Sequence, residues 1–313
     1  MTSPLYAPVH ITTLKRIADS PLAYRHAVEV GRPDTDALRL GRAVHVATLE
    51  PGAYPDRYIV IDKPSEAKGE EWDAYRANRA VRLHDRFTRR AGKEYLTWAD
   101  PFISTGHKVL SPSEWELCRD WADYLDATEG REVLTEAQNQ TAMDISRAVR
   151  SDPASAEVLE GPGALVEHSW ATDLDGIECA GRIDWYRGGV LIDLKTTRCD
   201  LSPGALGREC ARYGYHMAMS WYSDAMTSLG YPIERVGLIW VQNVAPYDVA
   251  VTWFTPEDLD AGRSAYRALL ATLRACRASG RWPGRYDGQA QVLALPAWAD
   301  GVDDPSDFTI EEF

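Results

Sequence analysis

Two neighbouring segments in the second half of the chain place acidic side chains and a lysine at a spacing that suits metal chemistry. Residues 181–185 read GRIDW and contain Asp184, whereas residues 190–197 read VLIDLKTT and contain Asp193 and Lys195. Alternate side chains of a strand share a face, so Asp193 and Lys195 would be neighbours. A glycine-containing turn between the two segments would bring Asp184 close to Asp193 across a hairpin.

Two carboxylates and a lysine on a buried sheet face are costly unless a partner offsets their charge. A divalent cation can do so, because Mg²⁺ prefers oxygen ligands and is usually held by one or two carboxylates plus substrate phosphates. Lys195 cannot bind the cation, but it can hold or deprotonate a water or offset charge on an attacked phosphate. A plain Asp–Lys salt bridge at a sheet edge is the alternative, since the D-x-K pattern is common.

The composition is that of an ordinary globular protein: 313 residues, 45% hydrophobic and 26% charged. The first ten residues lack the basic and apolar regions of a signal peptide, and no apolar run approaches the roughly 18–20 residues of a membrane helix. We therefore expect a cytoplasmic protein of a bacterium or a phage-infected cell. The net charge of −13 opposes nucleic-acid binding in general, but a basic channel can lie on an acidic body.

The five cysteines include no C-x-x-C pair. An odd count without a secretory signal argues against a disulfide framework, and the missing close pair argues against a zinc knuckle. An iron–sulfur cluster from Cys179, Cys199, Cys210 and Cys276 is an alternative that would lack the usual close pair. Buried free thiols are the favoured interpretation.

Hydrophobic periodicity predicts a helical first half and a sheet in the second half. Helices are predicted at residues 11–27 (interrupted at Ser20-Pro21), 35–49, 71–93, 111–127, 135–150 and 153–159. Strands are predicted at residues 164–172, 178–186, 190–196, 236–243 and 248–254, and long helices at 205–230 and 255–278. This order predicts an α/β fold with a central mixed β-sheet flanked by helices, plus a helical N-terminal region.

A series of short motifs extends this pattern over most of residues 10–225. They are SPLAY (20–24), LGRAVH (40–45), LEP (49–51), EHSW (167–170), RIDW (182–185), DLKTT (193–197), YGYH (213–216) and WY (221–222). In order and spacing they resemble the PD-(D/E)XK nuclease superfamily, and within it the RecE-type (exonuclease VIII-like) phage and prophage exonucleases. The resemblance implies a restriction-endonuclease-like core.

The resemblance also assigns roles to the residues of the two strand segments. It implies that Asp184 and Asp193 are metal-binding carboxylates and that the carbonyl of Leu194 is a backbone metal ligand. It implies that Lys195 is the catalytic lysine. These expectations agree with the chemistry that the residue types alone favour.

Two further residues join the expected site from outside these segments. His45 would be an additional metal ligand, and its alternative is a helix histidine satisfied by a backbone carbonyl. Glu167 would serve the catalytic site through a second metal or by orienting the first ligands; its alternative is a surface glutamate on an edge strand. We expect one structural domain overall, with an N-terminal part at residues 1–160 that contributes His45, a nuclease core at 161–285 and an acidic tail at 286–313.

DNA contacts require cationic or stacking side chains near the site. The candidates are Arg182, Arg198, Arg208, Arg212, Tyr215 and His216. One departure from the family pattern is Ala218, which stands where a glutamine is expected and puts the DNA-positioning role of that helix in doubt. A second possible contact surface is an arginine stripe on the predicted helix 71–93, for which a solvated charged face is the favoured alternative. Its members are Arg76, Arg79, Arg82, Arg86, Arg90 and Lys93.

The expected function is a Mg²⁺-dependent DNA exonuclease in which Mn²⁺ can substitute. The resemblance implies 5′→3′ digestion of double-stranded DNA ends in phage-type recombination, a single-strand annealing protein as partner and a homo-oligomeric ring. A related endonuclease or CRISPR-adaptation-type nuclease is one alternative, although the missing close cysteine pair opposes the latter. A non-catalytic DNA-binding scaffold on the same fold is another, opposed by the intact set of Asp184, Asp193 and Lys195.

Overall fold

A computed structural model describes residues 4–31, 33–62, 124 and 127–294, together with the backbone of residues 87–90, 93–100 and 103–109. Its helices are α1 (Ile11–Leu14), α2 (Pro21–Val30), α3 (Asp36–Leu49), α4 (Tyr54–Arg57), α5 (Glu136–Ser151), α6 (Pro153–Leu159), α7 (Pro203–Tyr213), α8 (Tyr215–Ser228) and α9 (Pro256–Ser279). Short 3₁₀ helices lie at Pro4–Tyr6, Lys15–Ala18 and Pro51–Ala53. The strands are β1 (Tyr58–Val60), β2 (Phe87–Arg90), β3 (Lys93–Asp100), β4 (Ile103–Val109), β5 (Glu132–Leu134), β6 (Leu165–Leu174), β7 (Ile177–Arg187), β8 (Val190–Thr197), β9 (Arg235–Gln242) and β10 (Val249–Trp253).

The centre of the fold is a five-stranded mixed sheet with the order β10-β9-β8-β7-β6. Strands β6, β7 and β8 form an antiparallel meander, β8 and β9 are parallel, and β9 and β10 are antiparallel. The parallel step is made by the crossover through α7 and α8, because parallel neighbours cannot be joined by a tight turn. The predicted α/β fold with a central mixed sheet is confirmed.

Two-residue turns hold the meander in register. Asp175 and Gly176 join β6 to β7 with φ angles of +53° and +77°, and Gly188 and Gly189 join β7 to β8 with +53° and +86°. Positive φ at both central residues is the type I′ geometry whose twist matches that of the flanking strands. This register decides which residues of β7 and β8 face each other at the site.

Helices cover both faces of the sheet. Leu191 and Trp240 belong to a core with residues of α1, α8 and α9, whereas Ile192 and Leu194 belong to a second core with residues of α3 and α5. The alternation predicted for β8 is therefore observed. Since α3 packs directly on the second face, it can deliver a side chain to the sheet.

The predicted helix at residues 205–230 is wrong in one respect: it is two helices. Gly214 has φ +61° and ψ +44°, a left-handed conformation that ends α7 and begins α8. A glycine tolerates this conformation without the steric penalty of a Cβ atom. The chain thus turns at Gly214, and Tyr215 begins a new helix.

The predicted helix at residues 71–93 is also wrong at its C-terminal end. Phe87–Arg90 pairs antiparallel with Lys93–Asp100, which pairs with Ile103–Val109. Two members of the proposed arginine stripe, Arg90 and Lys93, are therefore strand residues.

The rest of that helix, most of the predicted helix 111–127 and the acidic tail from residue 295 onward lie outside the described residues. The parallel pair of β1 and β5 is an unpredicted element of the first half. No helix in the described ranges is long and apolar enough to span a bilayer. The three-part division of the chain stays a prediction.

Candidate metal and catalytic site

The regular backbone pairing of β7 with β8 ends next to Asp184, the first residue of the site. The ladder pairs Tyr186 with Leu191 and Trp185 with Ile192. One step further, the Asp184 carboxylate replaces the backbone partner, because its Oδ2 accepts a hydrogen bond of 2.8 Å from the Leu194 N–H. This hydrogen bond fixes the position of Asp184 and gives its buried carboxylate a partner.

Strand β6, which pairs with the other edge of β7, contributes Glu167 at a point where its backbone is irregular. Val166 pairs with Trp185 and His168 with Ile183, so Glu167 lies opposite Asp184. Its φ is +46°, which is uncommon for a residue with a side chain and clusters at functional sites. The Glu167 side chain is only 7% exposed, and the surface-residue alternative is therefore excluded.

Helix α3 contributes His45. The helix begins at the N-cap Thr35, whose side chain accepts a hydrogen bond from Leu38 N–H, and its apolar face packs on the sheet. The His45 Nδ1 atom lies 3.4 Å from Glu167 Oε1 and 3.4 Å from Asp184 Oδ2. One ligand atom from each of these three residues lies within 4.8 Å of the other two.

This set fits a divalent cation. Glu167 Oε1 is buried and makes no hydrogen bond, which is costly unless another partner exists. The two carboxylates suit Mg²⁺ and Mn²⁺, and an imidazole is a common ligand of divalent transition-metal ions. Asp193 is not a member of this cluster; its carboxylate forms an ion pair with Lys195 instead.

The carboxylates around His45 favour a positive charge at this position. Burial alone would lower the pKa of His45, but Asp184 and Glu167 outweigh burial and raise it to about 10. Burial opposes ionisation of Asp184, yet His45 and Lys195 lower its pKa below the ordinary value. Without a metal, a protonated imidazole therefore takes the place of the cation.

Asp193 and Lys195 form a separate pair, in which the pKa values of both groups are raised. Burial, followed by the charge of Asp184, raises the pKa of Asp193. Burial disfavours the charge on Lys195, but Asp193 and Asp184 outweigh it and raise the pKa of the lysine well above its ordinary value. Lys195 is thus an ammonium group held at the edge of the cluster.

The proposed DNA-contact residues do not all lie at the site. Arg182 pairs with Glu167, its Nε atom 2.8 Å from Oε2. The Tyr215 ring centroid lies 5.2 Å from Lys195 Nζ. Arg198, Arg208 and Arg212 are exposed, whereas His216 lines a separate pocket between α7 and β9–β10.

Two residues near the site received no role from the sequence. Tyr222 lines the same cleft as His45, and burial, followed by the charge of Asp193, raises its pKa; its place in a recognised motif was the available signal. Lys15 donates a hydrogen bond of 2.8 Å to the Tyr213 carbonyl and lies 5.8 Å from the Tyr215 ring centroid. No motif includes Lys15, because only the fold brings it there.

The cluster opens into a cleft of about 810 Å³. Its wall carries His45, Glu167 and Asp184, together with Arg42, Arg57 and Arg182. A volume of this size is in the range of ligand pockets. Each of these three arginines is also paired with a carboxylate, so the wall itself adds little net positive charge.

A mixed sheet flanked by helices, with a His/Glu/Asp cluster beside an Asp–Lys pair, defines the class: a PD-(D/E)XK nuclease fold. The family model described as "PDDEXK-like domain of unknown function (DUF3799)" matches residues 11–295. The chain belongs to this family. The fold class predicted from the sequence and the superfamily resemblance are confirmed.

A solved structure supports the same fold. It is described as a "putative exonuclease" from Eubacterium rectale, is 13% identical, has a TM-score of 0.53 and matches over 95% of each chain. At this identity the likeness concerns the fold. No curated protein matches the sequence significantly.

Proposed function

We propose that this protein hydrolyses DNA phosphodiester bonds with a divalent cation, Mg²⁺ or Mn²⁺, held by His45, Glu167 and Asp184. The cluster of these three side chains, in which the buried Glu167 Oε1 makes no hydrogen bond, carries the proposal. Asp193 and the Leu194 carbonyl are proposed as further ligands from β8. The nuclease fold of the family agrees with this chemistry.

The cation, when bound, would activate water and stabilise the charge of the leaving oxygen. The protein's own residues supply the rest. The Lys195 ammonium offsets charge that develops on the attacked phosphate, and its raised pKa favours this role over that of a base. Asp193 holds the ammonium in place through their ion pair.

The first experiment compares purified Asp184→Asn and Asp193→Ala with the parent on linear duplex DNA and Mg²⁺. Glu29→Gln is the control, because Glu29 is an exposed partner of Arg25 on α2. We expect both site variants to lose activity and the control to keep it. Unchanged Mg²⁺-dependent cleavage by Asp193→Ala would contradict the proposed role of Asp193 in the site.

The proposal extends to exonuclease action in the 5′→3′ direction on double-stranded ends. The direction and the duplex substrate are supported by the motif resemblance to RecE-type enzymes alone, whereas the Eubacterium rectale protein of similar fold is described only as a putative exonuclease. Linear duplex labelled at its 5′ or 3′ ends should release label first from the 5′ ends. Cleavage of covalently closed circular DNA at the same rate would favour the endonuclease alternative.

We further propose a homo-oligomeric ring and a single-strand annealing protein as partner in phage-type recombination. Both rest on the resemblance to RecE-type enzymes alone. Sedimentation analysis of the purified protein tests the ring, and a monomer at working concentration would contradict it. Calorimetric titration with Mn²⁺ tests the scaffold alternative, which requires that no cation binds at the cluster.

A further inference from the structure

Arg182 occupies an unusual place in the cleft, because it contacts a proposed metal ligand rather than only facing solvent. Its Nε atom lies 2.8 Å from Glu167 Oε2. The two residues are diagonal neighbours across β6 and β7, since Glu167 lies opposite Asp184 and Arg182 pairs with Ser169. Diagonal pairs of long side chains lie within contact range in a sheet.

The two oxygens of Glu167 have different partners. Oε2 faces the Arg182 guanidinium, while Oε1 is buried without a hydrogen bond and lies 3.4 Å from His45 Nδ1. The backbone of Glu167 is in a left-handed conformation, at φ +46°. Such a conformation persists only where surrounding contacts hold it. The ion pair with Arg182 is such a contact.

From this arrangement we infer that Arg182 is a positioning residue, which aims Oε1 of Glu167 at the cation. This inference rests on the metal site of the proposed function and adds to it the group that orients one ligand. Groups that orient metal ligands typically change metal affinity about 10- to 100-fold when removed.

The rest of the guanidinium remains available to the cleft. The Arg182 side chain is 56% exposed, and Glu167 is the one carboxylate partner that it has among the described residues. Its Nη atoms can therefore still meet a phosphate, as the sequence suggests. A contact with phosphate alone, however, predicts no effect of Arg182 on metal binding without DNA, and this difference makes the inference testable.

The experiment measures Mn²⁺ affinity by calorimetry in the absence of DNA, for the parent, Arg182→Ala and Arg57→Ala. Arg57 is a matched control, because it lines the same cleft and pairs with Glu50, which is not a proposed ligand. We expect Arg182→Ala to bind Mn²⁺ about 10-fold more weakly or worse, and Arg57→Ala to bind it as the parent does. Equal affinity of the parent and Arg182→Ala would overturn the inference.

A double-mutant cycle with Glu167→Gln separates positioning from a general loss of structure. If Arg182 acts through Glu167, adding Arg182→Ala to Glu167→Gln should cause no further loss of Mn²⁺ affinity, because the interaction is already removed. Additive losses would contradict the inference.

Activity provides an independent readout. Raising the Mn²⁺ concentration should restore the kcat of Arg182→Ala, whereas a residue needed only for DNA would show a raised KM that metal does not correct. A raised KM with a kcat that equals that of the parent at every Mn²⁺ concentration would therefore contradict the inference. A parent protein that binds no Mn²⁺ would instead overturn the proposed function itself.

Discussion

Asp184 on β7 and Asp193 on β8 are both buried, but their carboxylates contact different partners. Asp184 accepts the Leu194 N–H and lies against His45, whereas Asp193 is paired with Lys195. Their pKa values move in opposite directions, down for Asp184 and up for Asp193. Pairs of titratable groups with diverging pKa values often mark acid–base sites.

Lys195 is expected to act in the transition state more than in metal binding. Replacing it by Gln should lower kcat by about 100- to 1000-fold, the effect of removing one group that stabilises developing charge. The affinity for Mn²⁺ should change much less than kcat, because the ammonium is not itself a ligand and acts on metal binding only through its partner Asp193. Steady-state kinetics and calorimetry check both expectations. A large loss of Mn²⁺ affinity with unchanged kcat would contradict this role.

Metal binding should be coupled to proton release at His45. The pKa of about 10 means that the imidazole is protonated at neutral pH without a metal, whereas a ligand must be neutral. Mn²⁺ affinity should therefore rise with pH, by about tenfold per unit when one proton is released. Calorimetry in two buffers of different ionisation enthalpy measures the protons released. In His45→Gln the pH dependence should shrink, and an unchanged dependence would count against His45 as the source.

At the scale of elements, the joint between α7 and α8 brings aromatic and cationic side chains beside Lys195. Gly214 turns the chain, Lys15 binds the carbonyl before it, and Tyr215 after it contacts Lys195. A single continuous helix would carry Tyr215 in a different direction. The break at Gly214 is thus part of how the fold builds the site.

Gly214→Ala should destabilise the protein. A Cβ atom in the left-handed region costs about 1–2 kcal/mol, whereas the Lys15 side chain, 3.5 Å from that Cβ, would be at an ordinary contact distance. Gly207→Ala in α7 is the control: it has open space for a Cβ and should gain roughly 0.5–1 kcal/mol. Urea unfolding measures both. Equal stability of the parent and Gly214→Ala would refute the expected strain.

At the scale of the whole molecule, a net charge of −13 must coexist with a polyanionic substrate. Three cations of the cleft wall are paired: Arg42 with Asp34 and Glu132, Arg57 with Glu50, and Arg182 with Glu167. Few positive charges in the described part of the cleft are thus free of carboxylates. The bound cation would have to contribute much of the attraction for phosphate.

DNA affinity should therefore depend only moderately on salt. The slope of log K against log salt concentration is about −0.9 for each phosphate neutralised, so two to four contacts give roughly −2 to −4. Fluorescence anisotropy with a short duplex and Ca²⁺ in place of Mg²⁺ measures it without turnover. A slope steeper than about −6 would imply a broad basic surface and contradict this expectation.

Local chemistry determined much of this protein. Alternation in β8 placed Asp193 and Lys195 on one face, and a glycine-containing turn predicted the hairpin of β7 and β8, both through contacts between near neighbours in sequence. The arrangement of His45 and Glu167 followed only from the motif resemblance. The helix break and the strands at residues 87–90 and 93–100 were not foreseen, because a left-handed glycine and strand pairing depend on partners that local periodicity does not reveal.

Only the tertiary structure decided which partners Asp184, Asp193 and Lys195 contact. It separates Asp184, which joins His45 and Glu167, from Asp193, which pairs with Lys195. It also brings Arg182 onto Glu167 and Lys15 beside Tyr215. Residue types determined which chemistry was possible, whereas packing of α3 and the meander determined which atoms meet, because distances of a few ångströms between distant residues depend on the whole core.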